Sequence, residues 1–212
     1  GDSRSHADHA AFDLRVIGHE FGHNLGLSHD GVVAQNGQAA QGYYTGCLPP
    51  STNSCAGIWA PIMGVGYYKP ISQWSKGEYT SANNTEDDIN VIQSNGLAVR
   101  ADDHGDSTGA ATSLGGTGTL STSGIITTAA DVDFFAFTAG AGALNVTASP
   151  ASVSPNLDIS LELRDGNGSL LTTVNPTAAM SSTDVATGLN ATLSYTLPSS
   201  GTYYLVVSGV GS

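Results

Sequence analysis

Three histidines and one glutamate lie close together near the start of the chain, in HEFGHNLGLSHD (residues 19–30). His19 and His23 are four positions apart, so on a helix both side chains lie on one face, one turn apart. Two imidazoles in this arrangement can bind one ion, with zinc–nitrogen distances of about 2.0–2.1 Å. Glu20 follows the first histidine and can reach a water molecule on the same ion. The spacing therefore predicts a metal site carried by a helix.

The residues after this pair predict how a third ligand reaches the ion. Gly26 tolerates a positive φ, which is the usual way to end a helix and turn the chain back. His29 can then approach the ion from a third direction. Three neutral imidazoles and one open position are typical of a catalytic zinc site, where the ion lowers the pKa of its bound water toward about 7 and a carboxylate accepts the proton. The alternative is a coincidental histidine-rich helix.

The segment HEFGHNLGLSHD resembles the signature of the metzincin zinc peptidases, HExxHxxGxxH followed by aspartate, and most of all their reprolysin (adamalysin-like) branch. This resemblance implies that His19, His23 and His29 are zinc ligands and that Glu20 is the general base. It also implies that Asp30 is a structural acid that ties the third-ligand loop to the rest of its subdomain. An ordinary turn aspartate is the alternative for Asp30.

Metzincins also have a methionine-containing turn beneath the zinc, and the segment APIMGVGYY supplies Met63 for this role. A thioether is soft and apolar, so it can pack under the imidazoles without binding the ion. A methionine that only fills a gap in a loop is the alternative. Some metzincins have a tyrosine two residues after the methionine, where it reaches the metal. Here that position is Val65, so the resemblance does not extend to this tyrosine.

The metal site must be positioned by helices in the first half of the chain. Around the histidines, apolar residues at helical spacing predict a buried stripe formed by Phe12, Val16, Ile17 and Phe21. A second helix is predicted from about Thr85 to Gln93, with Thr85 as N-cap and Ile89 and Ile92 on its buried side. The intervening segment, rich in glycine, asparagine and serine, is predicted to be mostly irregular. ISQWSKGEYTSANNTEDDI adds to the similarity with bacterial reprolysin-like peptidases.

The chain changes character near residue 100. The segment 101–118 is small, polar and acidic, which predicts a linker. Asp102, Asp103 and Asp106 could bind calcium, which takes several oxygen ligands, or could simply be solvated. This segment is thus distinguished by its acidic residues and not by a periodic pattern of apolar residues.

From about residue 119 the apolar residues recur with a period close to two, which predicts strands. RDGNGSL is a turn signal, and a tight hairpin is expected there. The run from ADVDFFAF to TYYLVVSG resembles the bacterial pre-peptidase C-terminal domain. That resemblance implies a β-sandwich of jelly-roll type, thought to aid secretion or substrate contact. Asp131 and Asp133 could contact a calcium ion, although surface or turn roles are equally compatible with the sequence.

Composition and cysteine usage indicate a secreted, extracellular protein. The net charge is −12 with only six Lys and Arg residues, which argues against binding to nucleic acid or to anionic membranes. No apolar run approaches the roughly 18 residues needed to span a bilayer, so no membrane insertion is expected. Cys47 and Cys55 could form a short disulfide-closed loop in an oxidising compartment. Two free thiols or a metal-binding pair are the alternatives.

The sequence thus predicts an α+β chain with two domains. Residues 1–100 are predicted to be the C-terminal part of a metzincin catalytic domain, and 101–118 a linker. Residues 119–212 are predicted to be an all-β antiparallel, jelly-roll-like sandwich. Metzincins build most of a sheet before the zinc helix, and only eighteen residues precede His19. We therefore expect a fragment of a longer precursor, cut at both ends.

Three hypotheses about function follow from these patterns. The first is a secreted zinc endopeptidase, acting as a monomer on protein or peptide substrates through zinc-activated water and Glu20. The second is an extracellular protein- or polysaccharide-binding β-sandwich attached to an inactive peptidase remnant. The third is a zinc hydrolase that does not act on peptides, which the methionine turn disfavours. The intact set of histidines and Glu20 favours the first.

Overall fold

The computed structural model describes residues 6–35 (side chains from residue 15 onward), 39–48 and 57–210. The chain divides into two compact units. The first unit comprises residues 1–99, 151–156 and 178–187, and the second comprises residues 100–150, 157–177 and 188–212. No helix in the described ranges is both long and apolar enough to cross a membrane.

The described residues form two α-helices, one 3-10 turn and eleven strands. In chain order these are α1 (His6–Asn24), β1 (Trp59–Pro61), the 3-10 turn (Gly66–Tyr68), β2 (Ile71–Gln73), α2 (Asp88–Ser94), β3 (Thr112–Ser113), β4 (Val132–Ala139), β5 (Gly142–Ala148), β6 (Ile159–Arg164), β7 (Leu170–Val174), β8 (Ala179–Ser182), β9 (Val185–Thr187), β10 (Ala191–Leu197) and β11 (Gly201–Gly209). Both α-helices of the described residues lie in the first hundred positions, and the chain is otherwise mostly β, with the β-rich C-terminal half that the sequence predicts. The metzincin class of the first part stays a prediction.

Helix α1 carries the histidine motif and ends where the sequence predicts. Gly26 has a φ of +87°, and its backbone N–H donates to the carbonyl of His23 at 3.0 Å. The N–H of Leu27 donates to the carbonyl of Gly22 at 3.1 Å, so two carbonyls of the last turn are satisfied. A glycine is needed here because a side chain is strained at this φ.

The predicted buried stripe on α1 is wrong in part, because Ile17 and Phe21 are exposed. The helix instead turns Gly18, His19 and Gly22 towards the rest of the first unit. Glycine lets the helix backbone approach its neighbours closely, so the buried side of α1 is marked by small residues rather than by large apolar ones. Periodicity in apolar side chains misses such a face.

The core of the first unit lies where the end of α1 meets α2. Its buried members are Leu25, Leu27, Met63 and Ile92, and Ile62, Trp74 and Val91 pack against them. Strands β1 and β2 pair in parallel, with Trp59 opposite Ile71. Strands β8 and β9 form a separate antiparallel pair.

Helix α2 is shorter than predicted and has a different N-cap. It begins at Asp88, and the side chain of Asp87 accepts a hydrogen bond from the N–H of Asn90 at 3.2 Å. The prediction that Thr85 is the N-cap is therefore wrong. Both Asp and Thr are good N-caps, so the sequence alone cannot choose between them. Ile92 is buried as predicted, whereas Ile89 is only partly buried.

The second unit is built from two sheets of unequal size. The larger has five strands in the order β3-β4-β11-β6-β7, and the smaller pairs β10 with β5. All neighbouring strands are antiparallel except β3 and β4, which pair in parallel. Along β6, residues alternate between buried and partly buried, the pattern of a strand with one face in a core. This arrangement is β-sandwich-like, as predicted; its finer jelly-roll class stays a prediction.

One hydrophobic core holds the strands of the second unit together. Its buried members all come from β4, β6, β10 and β11, and they are Phe137, Ile159, Leu161, Leu163, Ala191, Leu193, Leu197 and Tyr203. The hairpin predicted at RDGNGSL joins β6 to β7, and Asp165 accepts hydrogen bonds from the N–H groups of Asn167 and Ser169, both at 2.9 Å. Hydrogen bonds between residues of the turn itself thus determine the conformation of this connection.

The segment 101–118, predicted to be a linker, contributes to the second unit. It contains β3, in which Thr112 pairs with Phe135 of β4. The carbonyl of Gly105 also accepts a hydrogen bond from the N–H of Phe134 at 3.2 Å. Small polar residues at an edge strand resemble a linker in composition, which explains the difference. The domain boundaries at 100 and 118 stay a prediction.

Candidate metal centre

The three histidines of the motif converge in the structure. Ring nitrogens of His19, His23 and His29 all lie within 4.8 Å of one another. The ring centroids are 5.0 Å apart for His19 and His23, 5.3 Å for His19 and His29, and 4.6 Å for His23 and His29. The Nε2 atoms of His23 and His29 are 2.9 Å apart. The turn at Gly26 thus brings the third imidazole back to the two that the helix carries.

Two of the imidazoles are oriented by backbone carbonyls. Nδ1 of His19 lies 2.8 Å from the carbonyl oxygen of Ile62, and Nδ1 of His23 lies 2.9 Å from that of Leu27. A neutral imidazole that donates from Nδ1 leaves the lone pair of Nε2 free to bind a metal. These two contacts therefore select the tautomer that a metal site needs, and they orient the rings towards one point.

The donor set fits a zinc ion. Burial lowers the pKa of His29, the nearby charges of His23 and His19 lower it further, and only Glu20 opposes the shift. A lowered pKa favours the neutral imidazole, which is the form that binds metal. Glu20 is exposed on α1 beside these rings. Three neutral imidazoles with a carboxylate nearby match the ligand chemistry of catalytic zinc and do not match the oxygen ligands preferred by calcium or magnesium.

Met63 packs against the histidine-carrying helix α1 and is fully buried. A Cβ atom added to Gly22 would meet its Sδ atom at 2.5 Å, so the helix backbone rests directly against the thioether. The carbonyl of Met63 accepts a hydrogen bond from the N–H of Asp30 at 2.9 Å. Met63 therefore connects the helix to the loop of the third histidine, which agrees with the methionine-turn hypothesis. Its role in a metal site stays a prediction.

Asp30 is buried and linked to several neighbours. Its carbonyl accepts from the N–H of Tyr44 at 2.6 Å, and its N–H donates to the carbonyl of Met63 at 2.9 Å. One oxygen of its carboxyl group has no hydrogen-bond partner in the described part of the chain. Burial raises the pKa of Asp30 to about 7, and the charges of Asp88, Glu86 and Glu78 raise it further. The burial of Asp30 agrees with the predicted structural role, which stays a prediction beside the alternative of an ordinary turn aspartate.

Tyr43 lies at the site although the sequence analysis assigned it no role. Its ring centroid is 4.4 Å from that of His29 and 6.2 Å from that of His19, and its side chain is 43% exposed. The family pattern directs attention to the position two residues after Met63, which is Val65. No spacing rule links a tyrosine fourteen positions beyond His29 to the metal site, so the sequence carried no signal for it.

The structure describes only one of the two cysteines in the predicted pair, Cys47. Cys47 is buried, with 1% of its surface exposed. Cys55 lies outside the described residues, so the predicted disulfide stays a prediction.

A second group of possible metal ligands lies in the second unit. One oxygen from each of Asp102, Asp131 and Asp133 lies within 4.8 Å of the others, and Asp103, His104 and Asp133 form an overlapping set. Asp131 and Asp133 are buried, and one oxygen of each has no hydrogen-bond partner in the described part of the chain. Burial raises the pKa of Asp133 to about 6, although His104 opposes the shift.

Asp106, considered with Asp102 and Asp103 as a calcium ligand, is not in either group. Its Oδ1 accepts a hydrogen bond from the N–H of Val132 at 3.3 Å. Asp103 belongs only to the set with His104, and it also accepts from the N–H of Ile125 at 3.0 Å. The acidic cluster therefore combines residues that sequence analysis treated separately, because β4 brings Asp131 and Asp133 next to the segment that precedes it.

Residues 131–209 match the family model of the bacterial pre-peptidase C-terminal domain. The second half of the chain therefore contains a domain of this family, as the sequence predicts. Such domains occur in secreted bacterial proteins and are typically attached to peptidases. The match begins at Asp131 and leaves the candidate zinc residues outside it. No curated protein and no solved structure matches the chain.

Proposed function

We propose that the chain is part of a secreted zinc endopeptidase that hydrolyses peptide bonds in protein or peptide substrates. The observation that carries this proposal is the convergence of three imidazoles within 4.8 Å, beside the exposed carboxylate of Glu20. The pre-peptidase C-terminal domain supports it, because such domains are typically attached to secreted peptidases. The monomeric state stays a prediction.

His19, His23 and His29 would hold the zinc ion through their Nε2 atoms. A bound zinc ion supplies Lewis-acid chemistry, which polarises a carbonyl group and acidifies water. The carbonyl oxygens of Ile62 and Leu27 keep the first two imidazoles in the required tautomer. The protein's contribution is to present three converging imidazole nitrogens, two of them in rings that backbone carbonyls orient.

Glu20 is the general base in this proposal. Its carboxylate accepts a proton from the attacking water and delivers that proton to the leaving amine nitrogen, so the base is regenerated in each cycle. Glu20 follows His19 directly on α1 and is exposed, and it lies near enough to His29 for its charge to oppose the lowering of the pKa of that imidazole. A positioned general base typically contributes about 10²–10⁴-fold to the rate.

The proposal is tested by incubating the chain with a diverse peptide mixture, with and without a zinc chelator, and mapping cuts by mass spectrometry. We expect chelator-sensitive cuts that Glu20→Gln abolishes, while Glu20→Gln still binds one zinc ion per chain. Cleavage at the full rate by Glu20→Gln would contradict the assignment of the general base. A folded, zinc-loaded chain that cuts nothing would favour the alternative, a protein- or polysaccharide-binding β-sandwich attached to an inactive peptidase remnant.

We also propose that Asp102, Asp131 and Asp133 hold a calcium ion in the second unit. Buried carboxylate oxygens without hydrogen-bond partners are costly, and an ion that takes six to eight oxygen ligands would satisfy them. Because Asp102 precedes β3 and the other two flank the start of β4, the ion would join the segment 101–118 to the sheet. Its expected affinity is that of extracellular modules, with dissociation constants of about 10⁻⁴–10⁻³ M.

Calorimetric titration with calcium chloride tests this site. We expect saturable binding by the unmodified chain and an increase of its melting temperature, and loss of both in Asp133→Asn, which preserves the shape of the side chain. The matched control is Asp184→Asn, outside the cluster, which should bind calcium as the unmodified chain does. No binding by the unmodified chain, or equal binding by Asp133→Asn, would contradict the proposal.

A further inference from the structure

Tyr43 makes an aromatic contact with the third histidine of the motif. The ring centroids of Tyr43 and His29 are 4.4 Å apart, with 42° between the ring planes. Tilted contacts of about this length are favourable between aromatic rings. At 6.2 Å, the ring of His19 is farther away, so the contact of Tyr43 is chiefly with His29.

His29 differs from the other two histidines in how it is supported. His19 and His23 lie on α1, and each has a backbone carbonyl at its Nδ1 atom. His29 lies on the loop after α1, and in the described part of the chain its only hydrogen-bond partner is Nε2 of His23. It therefore lacks the carbonyl contact that orients the other two rings. The ring of Tyr43 lies where it can supply this support.

The backbone on both sides of Tyr43 is held in place. Two residues before it, Gln41 exchanges two hydrogen bonds with Val32, of 2.9 and 3.0 Å. Immediately after it, the N–H of Tyr44 donates to the carbonyl of Asp30 at 2.6 Å. The segment carrying Tyr43 is thus attached at two points to the loop carrying His29. These backbone hydrogen bonds keep the two rings close together.

We propose that Tyr43 is a positioning residue of the metal site, whose aromatic ring holds the imidazole of His29 in the orientation needed for zinc binding. The proposal rests on the proposed function, because it takes His29 as a zinc ligand. It assigns the role to the ring and not to the phenol hydroxyl. Residues that orient metal ligands typically affect metal affinity by about 10–100-fold when they are removed.

The first test measures zinc affinity by competition with a coloured chelator, which requires no peptidase activity. We expect Tyr43→Ala to bind zinc about 10–100-fold more weakly than the unmodified chain, and Tyr43→Phe to retain its affinity. Tyr68→Ala is the matched control, because Tyr68 is 39% exposed and has no ring contact with a histidine in the described residues. Unchanged affinity in Tyr43→Ala would overturn the proposal, and so would equal losses in Tyr43→Ala and Tyr43→Phe.

A spectroscopic signature distinguishes positioning from a general loss of stability. With cobalt in place of zinc, Tyr43→Ala should change the visible absorption of the bound ion, which reports ligand geometry, and Tyr43→Phe should leave it unchanged. An unchanged spectrum in Tyr43→Ala would contradict the positioning role.

A metal-free measurement separates this inference from the proposed function. In imidazole nitrogen–proton NMR spectra of the chain in chelator, Tyr43→Ala should shift the signals of His29 more than those of His19 and His23. If the unmodified chain binds no zinc, the zinc-positioning role fails together with the proposed function. If zinc binds and cuts are made but Tyr43→Ala changes neither affinity nor His29 signals, only the role of Tyr43 is overturned.

Discussion

Gly22 lies between Glu20 and His23 on α1, and its lack of a side chain allows the helix to rest on Met63. A Cβ atom at this position would lie 2.5 Å from Sδ of Met63 and 3.2 Å from side-chain atoms of Leu27 and Trp74. Contacts of this kind leave no room for an added methyl group. The candidate metal site therefore depends on Gly22, although glycine has no side chain that could bind a metal or take part in a reaction.

We expect Gly22→Ala to destabilise the first unit. Overpacking costs about 1–3 kcal/mol, and the higher helix propensity of alanine offsets up to about 1 kcal/mol of this cost. Urea unfolding followed by tryptophan fluorescence measures the effect, because both tryptophans, Trp59 and Trp74, lie in the first unit.

Gly18→Ala is the matched control on the same helix. A Cβ atom there would meet only Cγ2 of Ile62, at an ordinary 3.7 Å, so helix propensity should make this variant slightly more stable than the unmodified chain. Equal stabilisation by both substitutions would show that α1 does not rest tightly on Met63.

Helix α2 is attached to the segment after β2 through Ser75 and Asp88. The N–H of Ser75 donates to Oδ2 of Asp88 at 2.9 Å, and the N–H of Asp88 donates to the carbonyl of Ser75 at 3.0 Å. Asp88 is fully buried. Burial raises its pKa to about 6; the hydrogen bond from Ser75 opposes this shift, and the charges of Glu86, Asp87 and Glu78 add to it. Helix α2 is therefore attached through the carboxyl group of Asp88, and burial disfavours the charged form of that group.

The stability of the first unit should consequently depend on pH. The folded-state pKa of Asp88 lies above its ordinary value of 3.8, so the folded state binds the proton more tightly than the unfolded state. This contribution to stability is present at low pH and is lost as the pH rises from about 4 through about 6. We expect Asp88→Asn to reduce this loss, measured by tryptophan-detected unfolding in chelator from pH 4.5 to about pH 8.

Asp87→Asn serves as the control for this pH series. Asparagine is an equally good N-cap, so the substitution preserves the cap of α2 and should leave most of the pH dependence in place. A pH dependence that is the same in Asp88→Asn and in the unmodified chain would contradict the assignment of the effect to Asp88.

At the scale of the whole molecule, each unit has a core of its own. The first core is small and gathers α1, α2 and the methionine segment. The second is larger, and the inward residues of β6 lie at its centre, with Leu161 and Leu163 at 1% and 0% exposure. A continuous apolar core of this kind is what allows a domain to fold as a unit.

We expect Leu161→Ala to lower the free energy of unfolding of the second unit by about 2–5 kcal/mol, because it leaves a cavity in this core. Leu170→Ala on β7 is the matched control, since Leu170 is 53% exposed. Its effect should stay within about 0.5 kcal/mol. Urea unfolding followed by far-ultraviolet circular dichroism measures both, and equal effects would contradict the position of the core.

The sequence by itself determined the features that depend on near neighbours along the chain. The spacing of His19 and His23 and the glycine at 26 predict that the two imidazoles share one face of α1 and that the helix ends there, and both features are present in the structure. The alternation along β6 and the turn residues around Asp165 predict the sandwich strands and their hairpin. Helical and strand periods and turn conformations depend on only a few consecutive residues, so these predictions succeed.

The tertiary structure alone decided which distant residues meet. It brings Tyr43 against His29, joins Asp102 to Asp133, and leaves Ile17 exposed on the helix whose buried side is formed around small residues. None of these outcomes follows from local spacing, because each depends on which surface another segment covers. The sequence therefore specifies the donor atoms of the candidate metal centre, whereas the packing of loops around α1 determines what supports them.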